Sequence, residues 1–575
     1  MRIFTLLFIL LSYRAIAQNY APPLNIPLTL AGSFGELRPN HFHMGCDFKT
    51  GGVEGLPLFS VQNGYVARIQ INPGSYGKVI YINHPNGVTS VYAHCQRFYG
   101  KIAQKLDEEQ RKQKINEIEL LFEPGDLPVN KGDTIAFSGN SGNSSGPHLH
   151  FELRTTATET ALNPLTHGFS IVDNTAPTPY RIKAYAVTKE GYCIPGKSKV
   201  EGIKKVKDSY QITSKFFAIP ANFCTIDGGI GFALETKDKI GTDNNCGTYE
   251  IGLSINKEAI FNQKLDSISF DHSRHINSHK DFAAYNGAKA HFHKSFGVDN
   301  NQLFVYPQRS YGIPAKPKDK FNLEYSLFDA RRNKTTLFTK VVIDSGAILT
   351  VIPFEPHDAY LWPTMSYTFT GHDFTLTVPE GACYEPVLKN QGSMKICRIG
   401  DSKQPTAKDL EVRMTAKDKI HLGKQVITVT REGRAPVALA TSYHNDTLIA
   451  ASKYFGTFNV ACDTLAPTIA WKSLPATDTL LRKRTFYASV NDKLSGIASY
   501  NFYVDGEWIP VYLDGKNNHI VIELSKNITE AKHTFQLDVI DACGNTASLT
   551  KQLEFTKKAA LPVKKAVKKK PVKRK

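Results

Sequence analysis

Three short segments in the N-terminal part of the chain carry side chains suited to metal chemistry. They are HFHMGCDF at residues 41–48, YAH at 92–94 and GPHLHFE at 146–152. Two histidines and one carboxylate that leave a fourth position open to water form the ligand set of a catalytic zinc, whereas structural zinc sites are closed by four protein ligands. Each segment alone is a weak signal, but together they predict a catalytic zinc site.

The first segment must bend if His43 and Asp47 bind one ion. In a straight strand the two residues lie about 13 Å apart, at ~3.3 Å per residue, whereas both must lie about 2 Å from a shared metal. Gly45 between them permits a bend because it has no Cβ. A helix would also bring the pair together, but the glycine and the preceding RPN at 38–40 disfavour one. His41 could face the same side as His43 and is an alternative ligand.

The third segment continues as a strand with two different faces. His148, His150 and the polar residues at 152 and 154 alternate with apolar ones, so the polar set shares one surface while the apolar set enters the core. Two histidines on one face lie roughly 6 to 7 Å apart. One of them can therefore bind a metal while its neighbour reaches substrate or water. The preceding loop, GNSGNSSGP at 139–147, could offer backbone amides to a substrate.

The segments lie among elements that the sequence predicts to be mainly β. Residues 78–94, KVIYINHPNGVTSVYAH, predict a hairpin that turns at Asn86-Gly87 and leaves His84 exposed beside its tip. Residues 101–122 instead carry charged and apolar side chains at helical spacing, without glycine or proline. They predict a helical insertion in an antiparallel β domain that spans residues 18–166.

In chain order the segments show H-x-x-x-D, Y-x-H and H-x-H, a pattern that resembles the lysostaphin-like, LytM-type zinc metallopeptidases of family M23. The resemblance covers residues 30–155. It implies roles for five residues: zinc ligation by His43, Asp47 and His150, and catalysis by His94 and His148. The sequence departs from the family pattern at Cys46 and Cys95, where aliphatic residues are usual, and at the helical insertion.

The resemblance implies an exported enzyme that hydrolyses peptide bonds in the stems or cross-links of bacterial peptidoglycan with a zinc-activated water. The chain has no H-E-x-x-H motif, so His94 and His148 are the candidates for proton transfer and oxyanion stabilisation, and which does which stays open. One alternative is a non-catalytic scaffold that binds the wall or regulates another hydrolase. Retention of all five site residues favours activity. A third possibility, an adhesin dominated by its β domains, is compatible with a peptidase.

The length of 575 residues predicts several domains, and the chain ends have their own character. The basic and apolar start, followed by Ala-Ile-Ala at 15–17, predicts a signal peptide over residues 1–17 and export to the periplasm, cell envelope or medium. The later sequence predicts no transmembrane span. After the peptidase domain, short strands and turns predict β-rich domains at 167–345 and 346–464, and an immunoglobulin-like β-sandwich at 465–556.

The net charge of +17 is concentrated at the C-terminus, because the tail 557–575 holds ten basic residues and no acidic one. Lysine with alanine, valine and proline cannot build a core, so the sequence predicts a disordered tail. Its charge predicts a tether to anionic envelope polymers, or a solvated end without a partner. It does not predict a specific nucleic-acid partner, because any polycation binds nucleic acid and export removes the tail from the cytoplasmic pool.

The remaining histidines and cysteines have simpler interpretations. The histidine-rich stretches DHSRHINSH at 271–279 and HFH at 291–293 lack the carboxylate and glycine pattern of the first site and predict packed or solvated histidines. Cys46 and Cys95 each adjoin a site residue and should point to the core, as free thiols or as a mutual disulfide. The cysteines at 383 and 397 could close a local loop.

Overall fold

The computed structural model describes residues 20–224, 228–241, 243–348, 359–418, 420–472, 484–525, 528 and 532–554. The predicted signal peptide and the lysine-rich tail lie outside these residues. The chain forms two compact units, of which the first comprises Met1–Gln104 with Glu119–Ala461 and the second comprises Lys105–Ile118 with Cys462–Lys575. The fold is mainly β, which confirms the predicted class. Among the described residues, no helix is long and apolar enough to cross a bilayer.

The N-terminal domain is built on an antiparallel sheet with the strand order β1-β2-β11-β6-β5-β4-β8, beside a smaller sheet β3-β10-β7. A 3₁₀ turn, Pro164–Thr166, ends the domain. Its elements are β1 (Leu30–Gly32), β2 (Cys46–Lys49), β3 (Pro57–Phe59), β4 (Gly64–Asn72), β5 (Gly77–Asn83), β6 (Val88–Ala93), β7 (Arg97–Phe98), α1 (Gly100–Gln113), β8 (Glu119–Leu121), β9 (Pro128–Val129), β10 (Thr134–Phe137), β11 (His148–Thr155) and β12 (Ala161–Leu162).

The apolar face of the central strands forms the core under the site. Phe151 on β11 packs against Phe48 on β2 and Tyr92 on β6, with ring centroids 6.0 and 5.3 Å apart. The alternation predicted for residues 148–154 is therefore confirmed on the apolar side, since Leu149, Phe151 and Leu153 are fully buried.

The predicted hairpin is confirmed, because β5 and β6 pair on either side of the turn and Gly87 has a φ of 76°. The prediction that His84 is exposed is wrong. Its ring is buried, with Nδ1 bonded to the Asn63 carbonyl oxygen and Nε2 to the Ser90 hydroxyl. A histidine beside a hairpin tip is buried here because the neighbouring loop covers it and satisfies both ring nitrogens.

The predicted helical insertion is confirmed only in its first half. Helix α1 ends at Gln113, where Lys114 takes a left-handed φ of 52°, and residues 119–121 join the sheet as strand β8 beside β4. Residues 105–118 belong to the second unit. Within that unit the Asn116 amide donates to the Tyr500 carbonyl oxygen at 2.6 Å and accepts from the Val511 backbone N–H at 2.8 Å.

The region 167–345 forms a ten-stranded sheet system with the order β19-β18-β22-β23-β15-β14-β13-β17-β21, and β16 pairs with β23. Phe217, Phe232 and Tyr325 lie in its core. The elements are β13 (Thr178–Val187), β14 (Cys193–Val206), β15 (Ser209–Ile212), β16 (Phe217–Ile219), β17 (Gly229–Lys237), β18 (Glu250–Ile255), β19 (Glu258–Lys264), β20 (Ser267–Ile268), α2 (Ile276–His279), α3 (Phe282–Ala288), β21 (Phe292–Lys294), β22 (Lys320–Phe328) and β23 (Lys334–Ile343), with 3₁₀ turns at Ala221–Phe223 and Ser273–His275.

One strand of this accessory region joins the N-terminal sheet. Strand β20 pairs with β12, with Ile268 opposite Ala161 and Ser267 opposite Leu162. The Asn163 backbone N–H donates to the Asp266 carbonyl oxygen at 2.8 Å, and its side-chain Nδ2 donates to the Leu265 carbonyl oxygen at 2.9 Å. The pairing places the residues that follow β20 beside the N-terminal domain.

The last two regions are each built from two main sheets. Residues 359–461 form a five-stranded sheet, a four-stranded sheet and the pair β24–β27, whereas residues 468–554 form two four-stranded sheets around Phe486, Phe502 and Phe535. A 3₁₀ turn spans Leu422–Lys424. The strands are β24 (Tyr360–Leu361), β25 (Tyr367–Thr370), β26 (Phe374–Val378), β27 (Val387–Leu388), β28 (Arg398–Ile399), β29 (Pro405–Thr415), β30 (Gln425–Thr430), β31 (Val437–Ala438), β32 (Thr441–His444), β33 (Thr447–Tyr454), β34 (Gly456–Cys462), β35 (Thr468–Trp471), β36 (Thr485–Asn491), β37 (Ile497–Val504), β38 (Glu507–Ile509), β39 (Tyr512–Asp514), β40 (His519–Glu523), β41 (Lys532–Asp541) and β42 (Thr546–Glu554).

Candidate active site

Strand register brings the predicted site residues to one end of the central strands. Asp47 on β2 lies directly opposite His150 on β11, and His150 in turn lies opposite Ala93, the last residue of β6. His94 follows β6 with a left-handed φ of 57°, which turns its ring toward the same place. Backbone pairing thus positions Asp47 and His150, and the turn that ends β6 positions His94.

The bend at Gly45 has a more specific cause than backbone freedom. A Cβ built on Gly45 would overlap the Phe151 carbonyl oxygen and lie 3.1 Å from the His150 Nε2 atom. Only glycine therefore allows the segment between His43 and Asp47 to approach β11 this closely.

Three donor atoms converge at the centre of the site. His43 Nε2, Asp47 Oδ1 and His150 Nδ1 lie 3.0 Å from one another in every pair. The three atoms are close enough together that one metal ion could be bound by all of them, at the distances of about 2.0–2.1 Å that are usual for zinc. The residues present therefore fit a metal ion, and the sequence-predicted ligand set is brought together by the fold.

The hydrogen bonds of the two histidines fit metal binding as well. His43 Nδ1 lies 2.7 Å from the Ser33 carbonyl oxygen, which fixes the proton on Nδ1 and leaves the Nε2 lone pair facing the site. His150 has the opposite arrangement, because its Nε2 lies 2.8 Å from Glu152 Oε1 and its Nδ1 faces the site. A carboxylate or carbonyl partner on the outer nitrogen is the usual support of a metal-binding histidine.

Glu152 is the centre of a buried polar network behind His150. Besides the imidazole it accepts a hydrogen bond from the Tyr76 hydroxyl at 2.6 Å and from Arg154 Nε at 2.7 Å. Burial alone would raise the pKa of Glu152, but the Arg154 charge and the His150 hydrogen bond outweigh burial and lower that pKa to about 2. Glu152 therefore stays ionised and strengthens the electron-donating character of His150.

His94 and His148 stand beside the three donor atoms, with ring centroids 4.9 Å apart. His94 Nδ1 lies 2.8 Å from the Ser141 carbonyl oxygen, and His148 Nδ1 lies 2.8 Å from the Gly146 carbonyl oxygen. In both rings Nε2 is therefore the nitrogen that can take part in proton transfer. His148 Nε2 lies 3.4 Å from Asp47 Oδ1. Burial and the neighbouring His150 and His148 lower the pKa of His94 to about 3, which keeps its imidazole neutral.

The groove around these residues is lined by two parts of the chain. The N-terminal domain supplies Tyr76 and the loop of residues 143–145, and the accessory region supplies Phe270, Ser273 and Arg274, which we call the accessory wall. The cavity measures about 640 Å³. Phe270 also stacks against the Arg154 guanidinium at 4.2 Å from the ring centre, which anchors the wall to the network behind His150.

Arg38 contacts the side of Asp47 that faces away from the three donor atoms. Its Nη2 lies 3.3 Å from Asp47 Oδ2 and 3.4 Å from Glu36 Oε2. Hydrogen bonds and charge from the surrounding histidines hold the pKa of Asp47 well below its usual range despite burial. The arginine, the tyrosine and the accessory wall were not identified from the sequence, whereas Glu152 and Arg154 had appeared only as part of a polar face.

The alternatives named from the sequence lie in other surroundings. His41 is exposed at the rim of the groove and does not join the three donor atoms. His279 and His293 are packed, with His279 Nε2 at 2.9 Å from His293 Nδ1 and its Nδ1 at 2.8 Å from the Tyr306 hydroxyl. The nine cysteines all lie in the described part of the chain as free thiols, and Cys46 and Cys95 are fully buried.

Comparison with known proteins identifies the class of this site. Residues 41–120 and 113–164 match the model of Peptidase family M23. The match lies in the N-terminal part of the chain and confirms the resemblance found in the sequence.

Three similar proteins illustrate the extent of the match. An uncharacterized metalloprotease of Haemophilus influenzae is 30% identical over 151 residues, which are 26% of this chain and 24% of that protein. The peptidoglycan DD-endopeptidase ShyC of Vibrio cholerae is 26% identical over 142 residues, a quarter of each chain. A mutant catalytic domain of the prophage-encoded M23 protein EnpA of Enterococcus faecalis is 25% identical with a TM-score of 0.20, over 26% of this chain and 98% of that one. The chain thus spans about a quarter of the length of the Haemophilus influenzae and Vibrio cholerae relatives.

Proposed function

We propose that the chain is an exported zinc metalloendopeptidase that hydrolyses peptide bonds in the stems or cross-links of bacterial peptidoglycan. The observation that carries this proposal is the triangle of His43 Nε2, Asp47 Oδ1 and His150 Nδ1, 3.0 Å on each side, with two further imidazoles beside it. Two histidines and one carboxylate with an open position form a catalytic rather than a structural zinc site. The name of the similar ShyC protein supports peptidoglycan as the substrate class.

His43, Asp47 and His150 would hold the metal, and zinc there supplies Lewis acidity and lowers the pKa of water toward neutrality. The remaining steps belong to the protein's own side chains. The Nε2 atoms of His94 and His148 face the site and can accept a proton from the attacking water and return it to the departing amine. The loop at 143–145 can orient the substrate backbone opposite the accessory wall.

The groove favours peptide over glycosidic substrates. Glycosidases flank the scissile bond with a pair of carboxyl groups, one acting as acid and the other as base or nucleophile. Among the described residues that line the groove, Asp47 is the only carboxylate, and it is part of the proposed ligand set. Product analysis should therefore show new amines and carboxylates rather than new reducing ends.

The test combines muropeptide digestion with zinc analysis of single variants. His43→Ala and His150→Ala should lose both zinc and hydrolysis. His94→Ala and His148→Ala should keep most of the zinc but lose at least about 100-fold in rate, as expected when acid–base help is removed. His41→Ala is the matched control, because this histidine lies at the groove rim outside the triangle and should keep both properties.

Two results would contradict the proposal. Wild-type protein that binds zinc and muropeptides without cleaving them would favour the non-catalytic scaffold. Loss of zinc in His148→Ala with retention in His150→Ala would reverse the proposed roles of these two histidines.

We further propose that residues 1–17 direct export and that the tail 557–575 tethers the protein to anionic envelope polymers. The composition of the tail supports the second idea, since ten clustered positive charges attract polyanions over about a Debye length. N-terminal sequencing of the exported protein should begin near Gln18. Deletion of the tail should leave hydrolysis of soluble muropeptides unchanged and weaken sedimentation with intact wall at low salt, and equal sedimentation of both forms would contradict the tether.

A further inference from the structure

The accessory region and the C-terminal region share a repeated arrangement of aspartates that the peptidase site does not use. In both regions one aspartate precedes the first strand within a D-x-x-A-P phrase, a second begins a D-K sequence, and a third begins D-A-x-x-N. The first acidic triad consists of Asp173, Asp238 and Asp329. The second acidic triad consists of Asp463, Asp492 and Asp541.

The two triads have equivalent hydrogen bonds in the fold. Asn333 donates from Nδ2 to the Asp173 carbonyl oxygen at 3.2 Å and from its backbone N–H to Asp329 Oδ1 at 2.8 Å. In the C-terminal region Asn545 makes the same bonds, to the Asp463 carbonyl oxygen at 3.0 Å and to Asp541 Oδ1 at 2.8 Å. The same local structure has thus been built twice in one chain around three carboxylates.

Each triad concentrates negative charge at a single point. One carboxylate oxygen from each of its three members lies within 4.8 Å of the others. Among the described residues, none of the six carboxylates has an ion pair with a basic side chain. Carboxylates held so close repel one another unless one of them binds a proton or a cation lies between them.

The Asp238 side chain has a buried oxygen atom that the hydrogen bonds within the first acidic triad leave unpaired. Its side chain is 1% exposed, and its Oδ2 atom is buried without a hydrogen-bond partner. Its Oδ1 atom accepts from the Lys239 backbone N–H at 2.8 Å. A buried carboxylate oxygen with no donor is costly, so this atom lacks the positive partner that its position requires.

A neighbouring arginine does not balance the negative charge of both triads. Arg331 lies near Asp173, but its Nη2 donates to the Phe169 carbonyl oxygen at 2.6 Å. The equivalent position after Asp541 is Cys543, which carries no positive charge in the second triad. The two triads therefore share no basic side chain that could balance their charge, which leaves a proton or a cation from solvent.

We propose that each acidic triad binds one calcium ion, giving two calcium ions per chain in addition to the peptidase metal. The donors are oxygen atoms alone, which suits a hard cation, and calcium accepts six to eight oxygens in flexible geometry and can complete its shell with backbone carbonyls and water. Zinc, which prefers nitrogen and sulfur with oxygen in small number, fits the histidine site instead.

The positions of the triads give this binding a structural role. Asp173 lies in the linker before β13, whereas Asp238 and Asp329 directly follow β17 and β22. Calcium at the first triad ties the linker after the peptidase domain to two strand ends of the accessory region. Asp463 precedes β35, Asp492 follows β36 and Asp541 ends β41, so calcium at the second triad does the same for the C-terminal region.

The test measures calcium binding to the full-length protein, which is first passed over a chelating resin and then reloaded with zinc. Equilibrium dialysis with CaCl₂ should give two calcium ions per chain, and calcium should raise the melting temperature. Asp329→Asn and Asp541→Asn should each leave one calcium ion. Asp208→Asn is the matched control in the accessory region, because Asp208 is exposed and outside the triad, and it should retain two.

Asp238→Asn distinguishes a calcium site from a structural turn. The change keeps the size of the side chain and removes one buried charge, so calcium at the first triad should be lost while the melting temperature without calcium stays equal to or rises above that of the wild type. A wild-type protein that binds fewer than two calcium ions would overturn the proposal, as would tighter binding of MgCl₂ than of CaCl₂. Neither measurement depends on peptidase activity.

Discussion

A substitution at Glu152 tests whether the hydrogen bond behind His150 helps this histidine to bind a metal. The substitution Glu152→Gln keeps the shape of the side chain but replaces a carboxylate by an amide. The amide has only one oxygen for the three donors that surround it, which are His150 Nε2, the Tyr76 hydroxyl and Arg154 Nε, at 2.8, 2.6 and 2.7 Å. At least one donor then faces an NH₂ group, and His150 loses the negatively charged partner of its Nε2 atom.

The expected magnitudes follow from these contacts. Loss of the carboxylate partner of a metal-binding histidine typically lowers metal affinity by about 10- to 100-fold, which is about 1.4–2.8 kcal/mol. Loss of one partner of a buried ion pair costs about 3–5 kcal/mol of stability. We expect the lower end of that range, because Arg154 keeps a second carboxylate, Glu159 Oε2 at 2.9 Å.

The assay is a zinc titration against a chelating fluorophore, with circular dichroism to show that each variant is folded. Glu159→Gln is the matched control, since it removes the other carboxylate of Arg154 at a half-exposed side chain without touching His150. It should keep wild-type zinc affinity. A folded Glu152→Gln protein that binds zinc as tightly as the wild type would refute the argument that Glu152 orients His150.

Three further outcomes are expected. Burial lowers the pKa of His279 to about 3 and holds that of His293 well below its usual value, so the unfolded chain takes up protons near pH 6.5 that the folded chain does not. Stability is therefore full above pH 6.5 and falls below it, by roughly 2–3 kcal/mol for His279 at pH 4.5, and a double glutamine variant should flatten the acid dependence of the melting temperature. Asn116→Ala leaves the Tyr500 carbonyl oxygen and a backbone N–H buried without partners, which should cost about 2–4 kcal/mol and increase proteolysis within residues 105–118. Gly45→Ala should abolish zinc retention and lower the melting temperature, because its methyl group overlaps the backbone of β11.

The residues nearest the proposed metal could be predicted from the sequence because strand alternation and the conformational freedom of glycine depend only on neighbouring residues. Residues 148–154 alternate strictly, so the sequence alone places Glu152 on the same face as His150. The hairpin at Asn86-Gly87 likewise follows from local backbone preferences. Such preferences depend on a few neighbouring residues, and the structure agrees with them in these two segments.

Features that depend on distant parts of the chain could not be predicted in this way. The accessory wall lies over a hundred positions after His150 and reaches the groove only because β20 pairs with β12. Helix α1 was predicted too long for a related reason. Residues 119–121 have helical spacing, but pairing with β4 satisfies their backbone in the sheet, and such tertiary pairing overrides local periodicity.

The accessory region takes part in the site beyond forming one wall of the groove. Lys280, fully buried, donates from Nζ to the carbonyl oxygens of Arg38 and Pro39, both at 2.6 Å. Arg38 in turn contacts Asp47, and its segment leads directly into His43. Burying an ammonium group is costly unless its bonds are strong, so this contact fixes the backbone that positions two proposed metal ligands. The accessory region is therefore part of the structure that holds the site, since Asp47 and His43 depend on a segment that it clamps.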